Sequence, residues 1–291
     1  MWAFLLEFVV GLFVELVPLW GQSSAEVRVE FPSAALGNSR TITVLLPQNW
    51  QNRDMLPVLV VNDGQDADKL KLRPLLDKEW KAGTLPPFAV VLVPAGDRLR
   101  EYGVPGVPDF AGRGDRADLY ARFLLEELLP SLEARYPLDP ANRTILGSSL
   151  GGLSAFGLAW AHPDAFRQVG VLSGSFWWRD KDGGNGPEGA RVAQNSRIVL
   201  WWTKTFPAPA ASRFWFQAGT RDETSDRNNN GIIDAIEDTQ DLMVAIEEQG
   251  VPADHVVWTL VKNGYHEPAT WAKVLPEFLH WALDAPLPPR Q

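Results

Sequence analysis

From residue 26 onward the apolar positions fall into two alternating styles. Short runs rich in branched and aromatic side chains, at Val27–Phe31, Thr41–Leu46, Pro57–Asn62, Ala89–Val93, Arg143–Leu146, Val169–Leu172, Phe214–Gln217 and Val256–Val261, predict strands. Most of those from the third onward are continuously apolar, as a strand covered on both faces requires. Between them lie longer stretches with helical spacing, at Asp68–Lys81, Asp115–Tyr136, Leu150–Ala161, Thr239–Gln249 and Ala269–Leu283, with a weaker one at Ala190–Thr205. Strands alternating with helices predict an α/β architecture: a mostly parallel sheet of about eight strands with helices on both faces. No internal repeat or domain boundary interrupts this pattern, so residues 26–291 are expected to form a single domain. Two segments stand out as loops. Arg98–Gly114, punctuated by Gly and Pro, predicts a long surface connection of the kind that carries functional groups, and Lys181–Gly189 (KDGGNGPEG) predicts a flexible one.

The N-terminal segment has a different character. Trp2 to Trp20 is apolar without Lys or Arg, and the small residues Ser23, Ser24 and Ala25 follow it. Residues 1–25 therefore resemble a cleaved export signal, which implies a periplasmic or extracellular protein. Glu7, Glu15 and the missing basic start leave two other readings open. One is a membrane anchor, the only basis for a membrane association; the other is a packing segment from a misplaced start, in which case the protein is cytoplasmic.

Composition narrows the chemistry. With 36 acidic against 27 basic side chains the net charge is −9, and no basic cluster follows a phosphate backbone, so nucleic acid is not an expected partner. The chain has 0 cysteines, which excludes disulfides, thiol nucleophiles and thiolate metal sites.

A nucleophile must come from elsewhere, and Gly147-Ser148-Ser149-Leu150-Gly151 supplies one between a predicted strand and a predicted helix. A serine on such a turn is held in a strained conformation that only flanking glycines permit. Its Oγ is exposed beside a helix N-terminus, and the N–H of Leu150 can bind an oxyanion. Of the four histidines, His162, His255 and His280 read as structural, whereas His266 lies in the loop after the last strand, at the same sheet edge as Ser149. His266 is the expected base. Asp222, just beyond the strand Phe214–Gln217, is the expected orienting acid, with Glu223 as the alternative. The order Ser149, Asp222, His266 is that of α/β-hydrolases. The second oxyanion donor is expected from the turn Asn62-Asp63-Gly64-Gln65-Asp66, through the N–H of Gln65.

These residues, together with Arg100-Glu101-Tyr102, Phe123-x-x-Glu126-Glu127-Leu128-x-Pro130, Ser173-Gly174-Ser175-Phe176-Trp177-Trp178 and the pair His266 and Trp271, resemble the esterase family of α/β-hydrolases. That family includes enterochelin esterases, feruloyl esterases and S-formylglutathione hydrolase, and the resemblance covers roughly residues 27–285. It implies a serine carboxylesterase without an organic cofactor, acting on a small-molecule or polysaccharide-linked ester: a siderophore-type, feruloyl or acetyl ester. Ser-Phe-Trp-Trp places the likeness nearest the enterochelin-esterase-like branch, with Phe176, Trp177 and Trp178 as candidate walls of a substrate pocket. Arg98, Arg100, Arg113 and Arg116 are the only basic grouping available to an anionic siderophore complex. The alternatives are an acyltransferase of mycolyltransferase type and a non-catalytic, calcium-stabilised carbohydrate-binding module.

One further motif is independent of the resemblance. Residues 226–237 match the twelve-position calcium loop, with Asp226, Asn228 and Asn230 at positions 1, 3 and 5, Gly231 at 6, Asp234 at 9 and Glu237 at 12. The composition of the chain predicts only about 0.001 such matches by chance. The expected ligands of a structural Ca²⁺ are these side chains and the Ile232 carbonyl.

Overall fold

The computed structural model describes residues 14–17, 24–209 and 211–286. All eight expected strands are present: β2 (Ser24–Ser33), β3 (Asn38–Pro47), β4 (Leu56–Asn62), β5 (Ala89–Val93), β6 (Leu138–Ser148), β7 (Gln168–Leu172), β8 (Arg213–Arg221) and β9 (Val256–Tyr265). A ninth, β1 (Val14–Val17), arises within the N-terminal apolar run and pairs antiparallel with β2. The remainder of residues 1–23, on which the export-signal reading rests, lies outside the described residues. None of the described helices is long and apolar enough to cross a membrane.

Among the described residues the sheet order is β1-β2-β3-β5-β4-β6-β7-β8-β9, with every pair from β5 to β9 parallel. Each parallel crossover requires a helix. The helices are α1 (Leu72–Ala82), α2 (Arg98–Glu101), α3 (Ala117–Arg122), α4 (Leu129–Glu133), α5 (Leu150–Ala161), α6 (Gly186–Asn195), α7 (Ile198–Thr205), α8 (Asp234–Glu248) and α9 (Pro268–Ala282).

The two-sided burial of the central strands gives two cores. Val58 and Val60 face one that also contains Tyr120, Phe123, Leu153 and Phe156; Leu59 and Val61 face the other, with Leu76, Trp271, Leu275 and Phe278. The alternation follows the strand pleat, and together the two cores account for the apolar runs.

Besides the added β1, the structure departs from expectation at three places. The helix expected over Asp115–Tyr136 is α3 and α4 joined by a π-helical segment, Phe123–Leu128. Pro130 in the first turn of α4 cannot donate to the preceding turn, and the wider segment before it absorbs that loss. The weak helix at Ala190–Thr205 is split into α6 and α7 at Ser196-Arg197, where the buried Arg197 turns to the carboxylates of Asp238 and Asp241 on α8. Third, the connection Arg98–Gly114 is anchored within the fold: Tyr102 and Val104 are fully buried.

That anchor is an ion pair. Arg40 on β3 donates from Nη1 and Nη2 to Glu101 Oε2 and Oε1 at 2.9 and 3.0 Å, and the Gly96 N–H adds a bond at 3.1 Å. Burial raises the Glu101 pKa, but the Arg40 hydrogen bonds, the Gly96 N–H and the Arg40 charge outweigh it and hold the carboxyl below its ordinary value. A carboxyl depressed in the folded state stabilises above its unfolded pKa of about 4.3, and that contribution is lost as the pH falls through the lower folded value. Arg40→Met is expected to lower stability by about 3–5 kcal/mol, because it strands a buried charge. Urea unfolding at pH 7 measures this, and Glu101→Gln should flatten the acid limb of the wild-type stability profile.

Candidate active site

The strand β6 ends at Ser148, and α5 begins at Leu150. Ser149 between them has φ 54° and ψ −123°, a conformation that side-chain-bearing residues rarely adopt. The turn is possible because Gly147, Gly151 and Gly152 around it have no side chains. A Cβ on Gly147 would stand 2.0 Å from the Gly151 carbonyl oxygen, and one on Gly152 would meet Val171 Cγ1 at 2.8 Å. Backbone bonds hold the strain in place: the Ser149 N–H donates to Leu172 O at 2.9 Å, and its carbonyl accepts from the Ser175 N–H at 3.1 Å. Leu150 is the first residue of α5, and its N–H has no acceptor within the helix.

Asp222 and His266 meet at the same sheet edge. Asp222 follows β8, its side chain fully buried, and accepts the Gly219 N–H on Oδ2 at 3.2 Å. Its Oδ1 lies 3.1 Å from His266 Nδ1. The imidazole follows β9, is exposed on its outer side and packs edge-on against Trp271, whose indole N–H donates to Ser173 Oγ at 2.8 Å. Nε2 is thereby left as the acceptor nitrogen once Nδ1–H binds the carboxylate. Glu223 faces away, toward the N-terminus of α8. Burial raises its pKa, the Ala235 N–H opposes this, and Asp234, Asp238 and Asp222 raise it further.

Ser149 and His266 share no hydrogen bond in this conformation; the Ser149 hydroxyl lies instead 3.3 Å from Ser175 Oγ. Ser175 is buried, and only its position within the Ser-Gly-Ser-Phe-Trp-Trp motif hinted at it.

Gln65 lies in a single helical turn, Gly64–Asp66, that follows β4. The turn starts from Asp63 at φ 56°. A Cβ on Gly64 would meet the Leu92 and Val93 backbone at 2.6 Å, so the turn needs glycine there. Asn62 Nδ2 stitches it to the serine elbow, the turn Gly147–Gly151, by donating to Gly151 O at 2.9 Å, and two tyrosines brace it: Tyr120 Oη donates to Asn62 Oδ1 at 2.7 Å, and the Asp63 N–H donates to Tyr102 Oη at 2.9 Å.

Two expectations about substrate contacts are corrected. Phe176 and Trp178 are 1% and 0% exposed, so they present no surface to a substrate. Phe176 packs on Phe156 and Phe216, and Trp178 lies beneath Gly103 and Gly114. Trp177 alone of the three is partly exposed, with the Arg113 guanidinium 5.3 Å from its ring. Nor do the four arginines form a free basic cluster: Arg98, Arg100 and Arg113 pair with Asp63, Asp115 and Asp109, and Arg116 donates to the Leu36 carbonyl.

The segment 226–237 closes as a loop leading into α8. Asp226 accepts the N–H groups of Asn230 and Gly231 at 3.1 and 2.8 Å. The amides of Asn228 and Asn230 both reach Glu237 Oε1, at 2.7 and 2.6 Å. Gly231 sits at φ 86°. Asp234 turns instead to Arg227, accepting its backbone N–H at 3.0 Å and pairing with Nε at 3.1 Å, and Ile232 is exposed. Among the described residues no three His, Cys, Asp or Glu side chains stand close enough together to hold a metal.

The sheet order and the serine turn define an α/β-hydrolase. A family model described as "Putative esterase" matches residues 33–282, and the chain belongs to this family of carboxylic ester hydrolases. Among curated relatives, the iron(III) enterobactin esterase of Dickeya dadantii is 33% identical over 158 residues, covering 52% of this chain and 33% of that protein. Among solved structures, the enterochelin esterase of Shigella flexneri aligns with TM-score 0.69 and 22% identity over 90% of this chain and 58% of that one. A ferulic acid esterase aligns with TM-score 0.67 and 19% identity over 91% of this chain and 99% of that one. The chain thus spans about a third of that enterobactin esterase but nearly all of the ferulic acid esterase, and at these identities the structural likeness concerns the fold.

Gly147→Ala tests the steric account of the elbow. The atoms that a Cβ at 147 would meet, Gly151 O and C and Gly152 N, all belong to the backbone, so the substitution is expected to cost at least about 3 kcal/mol or to prevent folding. An unchanged urea midpoint would contradict that account.

Proposed function

We propose that the protein is a serine carboxylesterase acting through an acyl-enzyme. The observation that carries this reading is the buried Asp222 carboxylate on His266 Nδ1, at the same sheet edge as the strained Ser149. In the proposed mechanism Ser149 Oγ leaves Ser175, donates to His266 Nε2 and attacks the ester carbonyl as the imidazole takes its proton. Apo contacts of this kind tighten when substrate binds. Asp222 stabilises the imidazolium, and the Leu150 and Gln65 N–H groups receive the oxyanion. The imidazolium then protonates the departing alcohol, after which the neutral base activates water to release the acid. The substrate is an ester without a large negative charge, because Arg98, Arg100 and Arg113 are each paired with an aspartate; a hydroxycinnamoyl or acetyl ester fits better than an anionic siderophore complex. Trp177 is its candidate aromatic contact.

Wild-type protein is expected to hydrolyse p-nitrophenyl acetate and methyl ferulate and to be labelled by a fluorophosphonate, with Ser149→Ala inactive in both assays. Asp222→Asn should lower kcat by about 10³–10⁴-fold, with Glu223→Gln within about threefold of wild type. Full turnover in Ser149→Ala would refute the mechanism, and faster hydrolysis of an enterobactin-type trilactone than of methyl ferulate would refute the substrate class.

We also propose that the loop 226–237 holds a structural Ca²⁺. Turning over the Asn228 and Asn230 amides, which releases the Asn230 and Ile232 N–H groups that their oxygens accept at 3.1 and 2.8 Å, places those oxygens where their nitrogens now meet Glu237. Asp226, Asn228, Asn230, Glu237 and the Ile232 carbonyl then supply the hard oxygen donors calcium prefers, with Asp234 acting through water. Calcium is expected to raise the melting temperature of metal-stripped protein, and Glu237→Gln to abolish the rise. Equal melting temperatures with calcium and with EGTA would remove the ion from the account and leave the serine mechanism intact.

A further inference from the structure

Arg98 lies at the start of α2, outside the sheet, yet its guanidinium spans the active edge. Its Nε lies 3.0 and 3.1 Å from the two carboxylate oxygens of Asp63, and its Nη2 donates to the Ser148 carbonyl at 3.2 Å. One planar group therefore joins the residue before Gly64-Gln65 to the residue before Ser149-Leu150. Those two segments carry the N–H groups that the serine reading assigns to the oxyanion. They leave the neighbouring parallel strands β4 and β6, whose pairing ends at Val61 and Leu146; beyond it the Asn62–Gly151 bond and the Arg98 bridge span the two segments.

Asp63 itself is held tightly. Its side chain is 4% exposed, its Oδ1 also accepts Gln65 Nε2 at 2.9 Å, and a Cβ on Gly151 would stand 2.7 Å from its Oδ2. Burial pushes its pKa up, opposed by the Arg98 charge and by hydrogen bonds from Gln65 and Arg98. Among the described residues Arg98 is its one ion-pair partner. A carboxylate left uncompensated here would oppose negative charge developing on the nearby oxyanion, all the more in a poorly solvated site.

We propose that Arg98 is a positioning residue for the oxyanion hole. It clamps the Gln65 turn to the serine elbow, fixing the distance between the two donors, and it cancels the Asp63 charge beside them. Oxyanion donors act only at about 2.7–3.1 Å from the developing charge, and a misplacement of about 1 Å costs on the order of 10²-fold in rate. The inference rests on the serine esterase reading.

The test compares wild type with Arg98→Met, Arg98→Lys and Asp63→Asn/Arg98→Met in ester hydrolysis, fluorophosphonate labelling and peptide-level hydrogen exchange. Arg98→Met is expected to lower kcat and the labelling rate by about 10–100-fold with KM within about threefold, as befits a loss confined to the transition state. Arg98→Lys keeps the charge but cannot bridge Asp63 and Ser148, so it should fall between; it carries the test if the Met variant does not fold. The double variant, freed of the uncompensated charge, should turn over faster than Arg98→Met. Hydrogen exchange over residues 62–67 should quicken by about tenfold in the Met or Lys variant. Unchanged kcat, or a raised KM at unchanged kcat, would overturn the clamp. Unchanged exchange would overturn it whether or not the protein is an esterase, whereas wild type that neither hydrolyses esters nor labels would defeat the serine reading and leave exchange to decide the clamp.

Discussion

The site depends on how closely two backbones approach. Gly147 at the end of β6 and Gly151 in the first turn of α5 come together where no side chain fits. That approach lets the chain reverse from strand to helix within one residue and forces Ser149 into its unusual backbone angles. The strain is local, but its support is distributed. Leu172 at the end of β7 receives the serine N–H, Ser175 donates to the serine carbonyl, and Asn62 reaches over from β4 to bond the Gly151 carbonyl. Three parallel strands must be in register for one serine to stand as it does, which ties the serine turn to the completeness of the sheet.

A second set of contacts connects this turn to the long segment after β5. Arg40 and Glu101 fasten α2 to β3, and from that anchor Tyr102 and Arg98 reach Asp63. The segment looked like a surface loop because its glycines and prolines mark turns, and turns are usually exposed. Its tyrosine reports otherwise only through contacts with residues distant in sequence. The same limit hid the role of Arg98. A run of arginines reads as a ligand-binding surface until the partners are known, and Asp63 carries nothing in its local sequence that names Arg98.

What the sequence carried well were features with a local physical cause. Apolar runs of strand length marked β2 to β9, and the glycine pattern marked the elbow. The order of Asp222 and His266 along the chain suggested which groups would share the sheet edge, and the structure places them within hydrogen-bonding distance. Local patterning failed where burial depends on the whole fold. Phe176 and Trp178 follow the sixth of the expected strands at the active edge, which suggested contact with a substrate, but their rings turn into the core. β1 was missed because its residues sit inside a longer apolar run with no alternation to mark a strand, and α2 because four residues are too few to show helical spacing.

The topology also orders events in time. β4, β5 and β6, with the elbow and the turn that faces it, are translated well before β9, and among the described residues β9 pairs with β8 alone. His266 lies just beyond that last strand, held by a carboxylate at the end of β8. A chain emerging from the ribosome therefore displays Ser149 while His266 is still unmade. On the serine reading, it stays chemically silent toward esters in its surroundings until the final strand docks.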